Sequence, residues 1–522
     1  MRRFFACFLA LILLTGCHVL AEEEEKQEIF SGDYSYLINT DQKTITLMQY
    51  RGKAKKLDVP STIDDYTVTI IGTGYGTVFY GKSLTEITLP ETITTVRKFA
   101  FSDCSSLKKI VLNEGLTTFE DLAIRRCPKL TDIYFPETIQ VIGPDYFVLD
   151  CPVLKTIHIP EDHPAYKIID GVLFNQERKS LMSYPAGKKD KEYQIPEGTE
   201  IITPYAFSGA QLTKITLPYS ITTIGDAAFE GCNKITEINI PAGATNMSYT
   251  AFSGMDKLEN IFVDEKHPIY ESIDGVLYSK EYHNLIRYPS GKKGKTYEID
   301  PGTTIIGSAA FKGAQLTELI IPGTVTIINP QAFASSKLRK IVIQEGLEKL
   351  GWDVFKDCEI ESVTLTASLT TIYDNPFRGC PKLKEIIVSE NNPVLSVVDG
   401  ALIDRAEGRL ICYPQALKSK SFTVPEGVKT ISGYAFEKCN IKEIILPEGV
   451  EKIEDYAFID CDKTDLFVLP ESLKAIGRYA ICSSGQHWNI SPNKNRKIIV
   501  VRDSYAADAL MEAYRSILRY AN

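Results

Sequence analysis

Histidine and tryptophan are scarce in this 522-residue chain, with 6 and 2 copies. A His-rich metal centre has few ligands to draw on. The 12 cysteines include no CxxC pair, so the usual thiolate metal spacing is missing too. Positive charge is short: 58 Lys and Arg against 67 Asp and Glu give a net −9, leaving no global basic field to hold nucleic acid. Neither GxSxG nor HExxH occurs, and no nucleophile, base and orienting residue form a local motif. The expectation is no enzyme, no cofactor and no metal. The single long apolar run, Phe4 to Leu14, is eleven residues, too short to span a membrane as a permanent helix. What remains is ordinary for a folded chain: 44% apolar and 24% charged residues. Whole-chain disorder, collagen-like and small disulfide-scaffold classes are excluded.

The first residues read as an address. Met1-Arg2-Arg3 and the apolar run have the proportions of a signal peptide. Leu14-Thr15-Gly16-Cys17 then resembles the lipobox of bacterial lipoproteins, in which the Cys is acylated and becomes the new N-terminus. The resemblance implies a signal peptide over 1–16 and lipidation at Cys17. Plain secretion after Val19-Leu20-Ala21 is the alternative. Loss of 1–16 removes Arg2 and Arg3 and makes the chain more acidic. Glu22 to Glu25 follow at once, so 17–29 is expected to be an acidic, solvated tether.

Length alone suggests three or four domains, but the chain repeats itself. Apolar-x-apolar segments end at anchors that include Pro60, Pro90, Asn113, Pro136, Pro160, Pro196, Pro322 and Pro470. Among the 16 spacings between 17 anchors, twelve are 22 to 24 residues, three are 36 and one is 30. Eleven residues after most anchors stands Phe, as at Phe101, Phe229, Phe333 and Phe458, usually preceded by Ala. Such a unit holds one short strand that ends at a Pro, which cannot continue a ladder. Too little chain remains for a long helix, so the far side must be a helical turn or irregular. Stacked coils bury the fixed positions in one continuous core.

The pattern Leu84-x-x-Ile87-x-Leu89-Pro90-x-x-Ile93-x-x-Val96, then Ala100-Phe101-x-x-Cys104-x-x-Leu107, resembles the leucine-rich repeats of BspA-like bacterial surface proteins. The resemblance covers 34–522. It implies an α/β class fold: a right-handed leucine-rich-repeat solenoid with a concave parallel β-sheet and a convex side of short helical turns or irregular chain. It also implies surface display, adhesion to host matrix proteins and contact with other cells. Partners are then host matrix or other surface proteins, with polysaccharide as a further class. Membrane contact is expected through the lipid anchor alone, and the chain is expected to be a monomer.

The 36-residue spacings mark a second repeat, near 161–195, 265–299 and 390–424. Each carries Asp-Gly (Asp170-Gly171, Asp274-Gly275, Asp399-Gly400) and later Tyr-Pro (Tyr184-Pro185, Tyr288-Pro289, Tyr413-Pro414). Two apolar stretches around a polar turn predict a hairpin projecting from the stack. Residues 30–56 read as an N-terminal capping hairpin and 57–497 as the solenoid. Residues 498–522 read as a last strand and a capping helix. Asp503 or Ser504 is its N-cap, and Leu510, Tyr514, Ile517 and Leu518 face the core.

Most chemistry-like features have bland readings. Cys104, Cys127, Cys232, Cys358, Cys380, Cys439 and Cys461 share a repeat position that elsewhere holds Ala210, Ala314, Ser336, Met255 or Asp150, so it mostly calls for a small buried side chain, with free thiols expected. Gly72-Thr73-Gly74-Tyr75-Gly76 reads as a loop that lengthens the 30-residue first coil, not a nucleotide loop. His163 and His267 give way to Asn392 in the third insert, which favours a turn role over a ligand role. Lys188, Lys189, Lys191, Lys292, Lys293, Lys295, Lys418 and Lys420 form either cationic fingers for an acidic polymer or solvated loops.

Period-2 alternation buries Ile87 and Leu89 and turns Thr88 outward. The same outward row contains Tyr134, His158, Phe262, Ile320, Val342 and Ile387, taken as the candidate partner-binding residues. Tyr134 and Phe262 are its only Tyr, Phe or Trp. Two residues earlier runs a charged row with Glu86, Lys109, Asp132, Glu318 and Lys340. Exposed apolar strips mark contact sites, so a binding face on the sheet is the leading reading. A structural envelope spacer without a ligand is the alternative.

Overall fold

A computed structural model describes residues 27–80, 83–143, 146–481, 497–501, 505–506 and 518–521. Two compact units divide the chain: Met1–Lys188 with Thr203–Ala210, and Lys189–Ile202 with Gln211–Asn522. Cys17, Glu22, Asp503, Ser504, Leu510, Tyr514 and Ile517 lie outside the described residues.

In unit 1 three successive coils carry strands on all three sides. The anchored strands Lys56–Asp58, Glu86–Thr88, Lys109–Val111, Asp132–Tyr134 and Thr156–His158 pair in parallel, residue for residue. Leu89 N–H donates to Val111 O at 3.0 Å, and Pro90, without an N–H, ends the ladder there. A second side carries two-residue strands, Thr95–Val96, Thr118–Phe119 and Val141–Ile142. A third carries Phe101–Ser102, Ile124–Arg125 and Val148–Leu149. At the N-terminal end Tyr34–Ile38 and Thr44–Tyr50 pair antiparallel, and Thr44–Tyr50 joins the second side in parallel through Tyr66–Ile71. The extra length of the first coil is shared. A hairpin of Thr62–Ile63 on Tyr66–Ile71 takes up chain ahead of Ile70 and Ile71, which pair with Thr95 and Val96. The glycine loop therefore supplies only part of it.

Unit 2 repeats the plan. Its second side runs unbroken from Leu285–Arg287 through Ile305–Ile306, Ile327–Ile328 and Lys349–Leu350 to Thr371–Ile372. Behind it aromatic rings stack coil on coil. Tyr288, Phe311, Phe333, Phe355 and Phe377 lie 4.9 to 5.5 Å apart at interplanar angles of 7 to 23°. Tyr413, Phe436 and Phe458 form a second run. The third side is turn rather than helix. The residue two before the Phe has a left-handed backbone, at Ala227, Gln331, Asp353 and Tyr456 among others. That conformation costs an L-residue roughly 1–2 kcal/mol. It is offset because each Phe N–H then reaches the neighbouring coil, as Phe333 does to Val354 O at 2.8 Å.

The 36-residue inserts correct the expectation of projecting hairpins. Each is a three-stranded antiparallel meander: Tyr166–Ile169, Val172–Asn175 and Ser180–Ser183 in the first, with counterparts in the others. Asp-Gly makes a tight turn with positive φ at both residues, 50° and 75° at Asp170 and Gly171, the geometry a two-residue hairpin needs. The middle strands are buried at every residue. In the second and third inserts the last strand joins the second side in parallel. The inserts are therefore built into the stack. A projecting hairpin would have exposed Val276, Leu277 and Tyr278, all within 1% of complete burial.

Only the end of the expected C-terminal helix is corrected, since 507–517 lie outside the described residues. Among the described residues only Tyr505 and Ala506 are helical. Leu518 opens a strand, Leu518–Ala521, that adds in parallel to Lys497–Val501. A free sheet edge offers unpaired backbone groups, and a strand satisfies them where a helix cannot.

Candidate functional site

In unit 1 the in-register strands place like positions side by side, about 4.8 Å apart. Glu86 receives Lys56 at 2.8 Å and Lys109 at 3.3 Å. These ammonium groups, Lys56 first, hold its carboxyl below the ordinary carboxylate range. Tyr134 and His158 are neighbours in the outward row, their rings stacked at 3.9 Å and 6°. Lys109 Nζ lies 5.0 Å over the Tyr134 ring, and His158 Nε2 stands 3.8 Å from the Asp132 carboxylate. Two expected site residues thus form one half-buried platform whose charges are largely matched from within.

In unit 2 the outward row contains a less paired apolar stretch. Phe262 is 41% exposed on Asn260–Val263. The second insert closes that strand's far edge: Ile261 N–H donates to Gly275 O at 2.8 Å, and Ser272 Oγ–H to Ile261 O at 2.6 Å. Phe262 is therefore a separate exposed ring. Ile320 and Val342 are partners across Glu318–Ile321 and Lys340–Ile343, exposed by 55% and 44%. Their strand neighbours Leu319, Ile321, Ile341 and Ile343 are buried. Together with Glu298, Glu318, Lys340 and Gln344 they line a groove of about 480 Å³. Ile387, 45% exposed, lies further along the row beside Thr364. Among the described residues, no ion pair is made by Glu298, Glu318 or Lys340.

Three of the eight insert lysines are held back, while Lys189, Lys191, Lys295, Lys418 and Lys420 are exposed. Lys188 and Lys292 fold back onto their own Asp-Gly turns, each donating to the Asp carbonyl (Asp170 and Asp274) at 2.6 Å. Lys293 pairs with Glu259 at 3.0 Å. In the third insert Leu417 stands at this place, against Gly400. A cation there serves the turn, and an apolar side chain can replace it.

His163 and His267 are turn residues. His267 Nδ1 accepts from Ile269 and Tyr270 N–H, and Nε2 donates to Ala244 O at 3.2 Å. Asn392 makes the same bonds: Oδ1 accepts from Val394 and Leu395, and Nδ2 donates to Leu369 O at 2.8 Å. Nine described cysteines are buried and unbridged. Cys358 Sγ–H donates to Phe333 O at 3.1 Å and Cys380 Sγ–H to Phe355 O at 3.0 Å. Burial pushes the Cys358 thiol up to about 11. These thiols satisfy carbonyls of the coil before.

Two aromatic sets escaped the sequence reading. Tyr184, Tyr288 and Tyr413 stand in the ring stack against Phe207, Phe311 and Phe436. Each pair is 23 residues apart, one coil, and that spacing was the available signal. Tyr434, Tyr456 and Tyr479 form a half-exposed stack, with the Arg378 guanidinium 3.6 Å over Tyr434. Their fixed place, two before the apolar ladder residue, was the corresponding signal. Among the described residues no group of three or more His, Cys, Asp or Glu side chains converges to hold a metal ion. Nor is any described helix long and apolar enough to cross a membrane.

Among protein families, the model described as "BspA type Leucine rich repeat region (6 copies)" matches residues 67–185, 186–286, 304–400 and 411–501. A leucine rich cell surface protein from Faecalibacterium prausnitzii A2-165 is similar at 23% identity, over 82% of this chain and 95% of its own, with a TM-score of 0.40. The pneumococcal vaccine antigen PcpA is similar at 17%, over 95% and 98%, with a TM-score of 0.38. A leucine-rich repeat protein from Bacteroides ovatus ATCC 8483 is similar at 20%, over 95% and 100%, with a TM-score of 0.28. No curated protein matches the chain.

Proposed function

We propose, for a chain that belongs to the BspA type leucine rich repeat family, a role as a protein-interaction scaffold displayed outside the cell membrane. Its finer role is adhesion: it holds host matrix or neighbouring-cell proteins on the outward face of the anchored strands, and Cys17 carries the lipid that anchors it. The observation that carries this reading is the exposure of Ile320, Val342 and Ile387 on strands whose alternate residues are buried. A soluble sheet face of ordinary composition places polar side chains there, and large aliphatic groups at such places mark contact surfaces. The test is capture of matrix proteins, glycans and bacterial cells by the purified chain, beside Ile320→Ser/Val342→Ser. Partners held equally by both proteins would move the binding site elsewhere.

A second reading, a spacer without a ligand, is favoured by unit 1. There Lys56, Glu86 and Lys109 neutralise one another, and Tyr134 and His158 cover one another. Such a face has little left to offer a partner. The Tyr134→Ser, Phe262→Ser double variant separates the two: unchanged capture assigns the Tyr134 stretch to spacing.

A further inference from the structure

The groove of unit 2 combines two features that are separate elsewhere on the sheet. Its floor is aliphatic, from Ile320 and Val342. Its rim carries the carboxylates of Glu298 and Glu318. Glu298 stands beside Ile320 across a parallel bridge, and Glu318 beside Lys340 in the charged row. Neither carboxylate has an ion-pair partner among the described residues, whereas Glu86 at the equivalent place in unit 1 has two. Further along the row, Glu385 also lacks one. The groove therefore holds two carboxylates against one ammonium, Lys340, none of them in an ion pair among the described residues, and this net negative charge borders apolar surface that water covers poorly.

From that juxtaposition we infer that the groove docks an extended segment of a partner protein in which aliphatic residues alternate with Lys or Arg. The inference rests on the scaffold reading above and adds the chemistry of the partner. From Glu298 to Ile387 there are four strand steps, roughly 19 Å, which an extended peptide covers in about six residues. The aliphatic side chains displace water from Ile320 and Val342. The cations meet Glu298 and Glu318 at the rim, where opposite charge supplies selectivity and rate of encounter more than affinity. An acidic segment is rejected by the same carboxylates.

The probe is a labelled ten-residue peptide alternating Lys with Val, compared with its Glu-Val counterpart by fluorescence anisotropy on the full mature chain. The Lys-Val peptide is expected to bind, and the Glu-Val peptide to bind at least about tenfold more weakly. Glu298→Gln/Glu318→Gln should weaken the Lys-Val peptide about three- to tenfold and flatten its salt dependence. Ile320→Ser/Val342→Ser should weaken it about tenfold. Circular dichroism of each variant checks that the stack is intact. A control, Glu197→Gln/Glu426→Gln, removes two exposed carboxylates outside the groove and should change nothing. If the control weakens binding as much as the rim variant, the peptide reads only net charge and the inference is overturned. If both peptides bind equally and both are lost in the floor variant, the strip is a docking face without charge selection: the inference fails and the scaffold reading stands. If no groove variant alters any binding, peptide or captured protein, both fail.

Discussion

Replacing Phe333 by Ala removes the middle ring of the longest aromatic run. Phe333 is 1% exposed and stacks on Phe311 at 5.0 Å and on Phe355 at 5.3 Å. Phe-to-Ala changes in a core cost about 3–5 kcal/mol, part of it for the cavity left behind. Each lost ring pair adds about 0.5–1.5 kcal/mol beyond area. The site cannot collapse easily, because the backbone on either side is pinned by the bonds Phe311 N–H to Ala332 O and Phe333 N–H to Val354 O. The upper end, about 5 kcal/mol, is therefore expected. In a stack of coils this loss falls on the nearest interfaces first. The assay is urea unfolding followed by hydrogen exchange. Amides near Ile328 and Leu350 should lose protection before those near Ile45 and Val68. A variant within 1 kcal/mol of the parent, or protection lost evenly along the chain, would refute the ring stack as the source of cohesion.

Burial holds the His267 imidazole below its ordinary pKa of 6.5, so the unfolded chain takes the proton first. Stability should be level above about pH 6.5 and decline as the pH falls below it; His267→Asn, built like Asn392, should remove that part of the decline, measured as urea midpoints at pH 7.5 and 5.5. The nine described thiols should resist a thiol reagent in the native chain and react after unfolding without reductant; bridged pairs at Cys439 and Cys461, whose sulfurs lie 3.3 Å apart, would contradict this. Fatty-acid labelling should disappear in Cys17→Ala, and a mature chain beginning at Glu22 would overturn lipidation.

The coil period was legible because stacking fixes it. Ile87, Leu89, Val96 and Phe101 recur at one coil spacing, since each must meet its equivalent on the next coil. The inserts were found by the same arithmetic but misplaced. Val172-Leu173-Phe174 and Leu181-Met182 are buried on both faces. An apolar run with no alternation cannot say which neighbour covers it. At the C-terminus Leu518 was read as a helix residue, because the sheet edge on which it pairs is not displayed in the sequence. The left-handed turn residues had no signature: Phe99, Leu122, Ala227, Asp353 and Tyr456 share a φ near 50–60° and little else. Tertiary hydrogen bonds impose that backbone whatever the side chain. The insert lysines illustrate the opposite limit, because long charged side chains occur equally on turns they cap and on surfaces they present.

The same physics explains where the candidate site could be read and where it could not. Outward positions carry no packing constraint, so the repeat leaves them free, and departures from Thr or Asn there carry information. Ile320, Val342, Ile387 and Phe262 were visible on that basis. What could not be seen was which charges find partners. Glu86 and Glu318 hold the same repeat position, each followed by a Lys on the next coil, Lys109 and Lys340. Only Glu86 has a second Lys behind it, Lys56, and both lysines close on it. Behind Glu318 the equivalent place is Thr296, in the groove lining. One substitution at one coil, Lys56 against Thr296, thus separates a carboxylate with two ion-pair partners from one with none among the described residues, and the repeat arithmetic is blind to it because both residues fit the strand equally well.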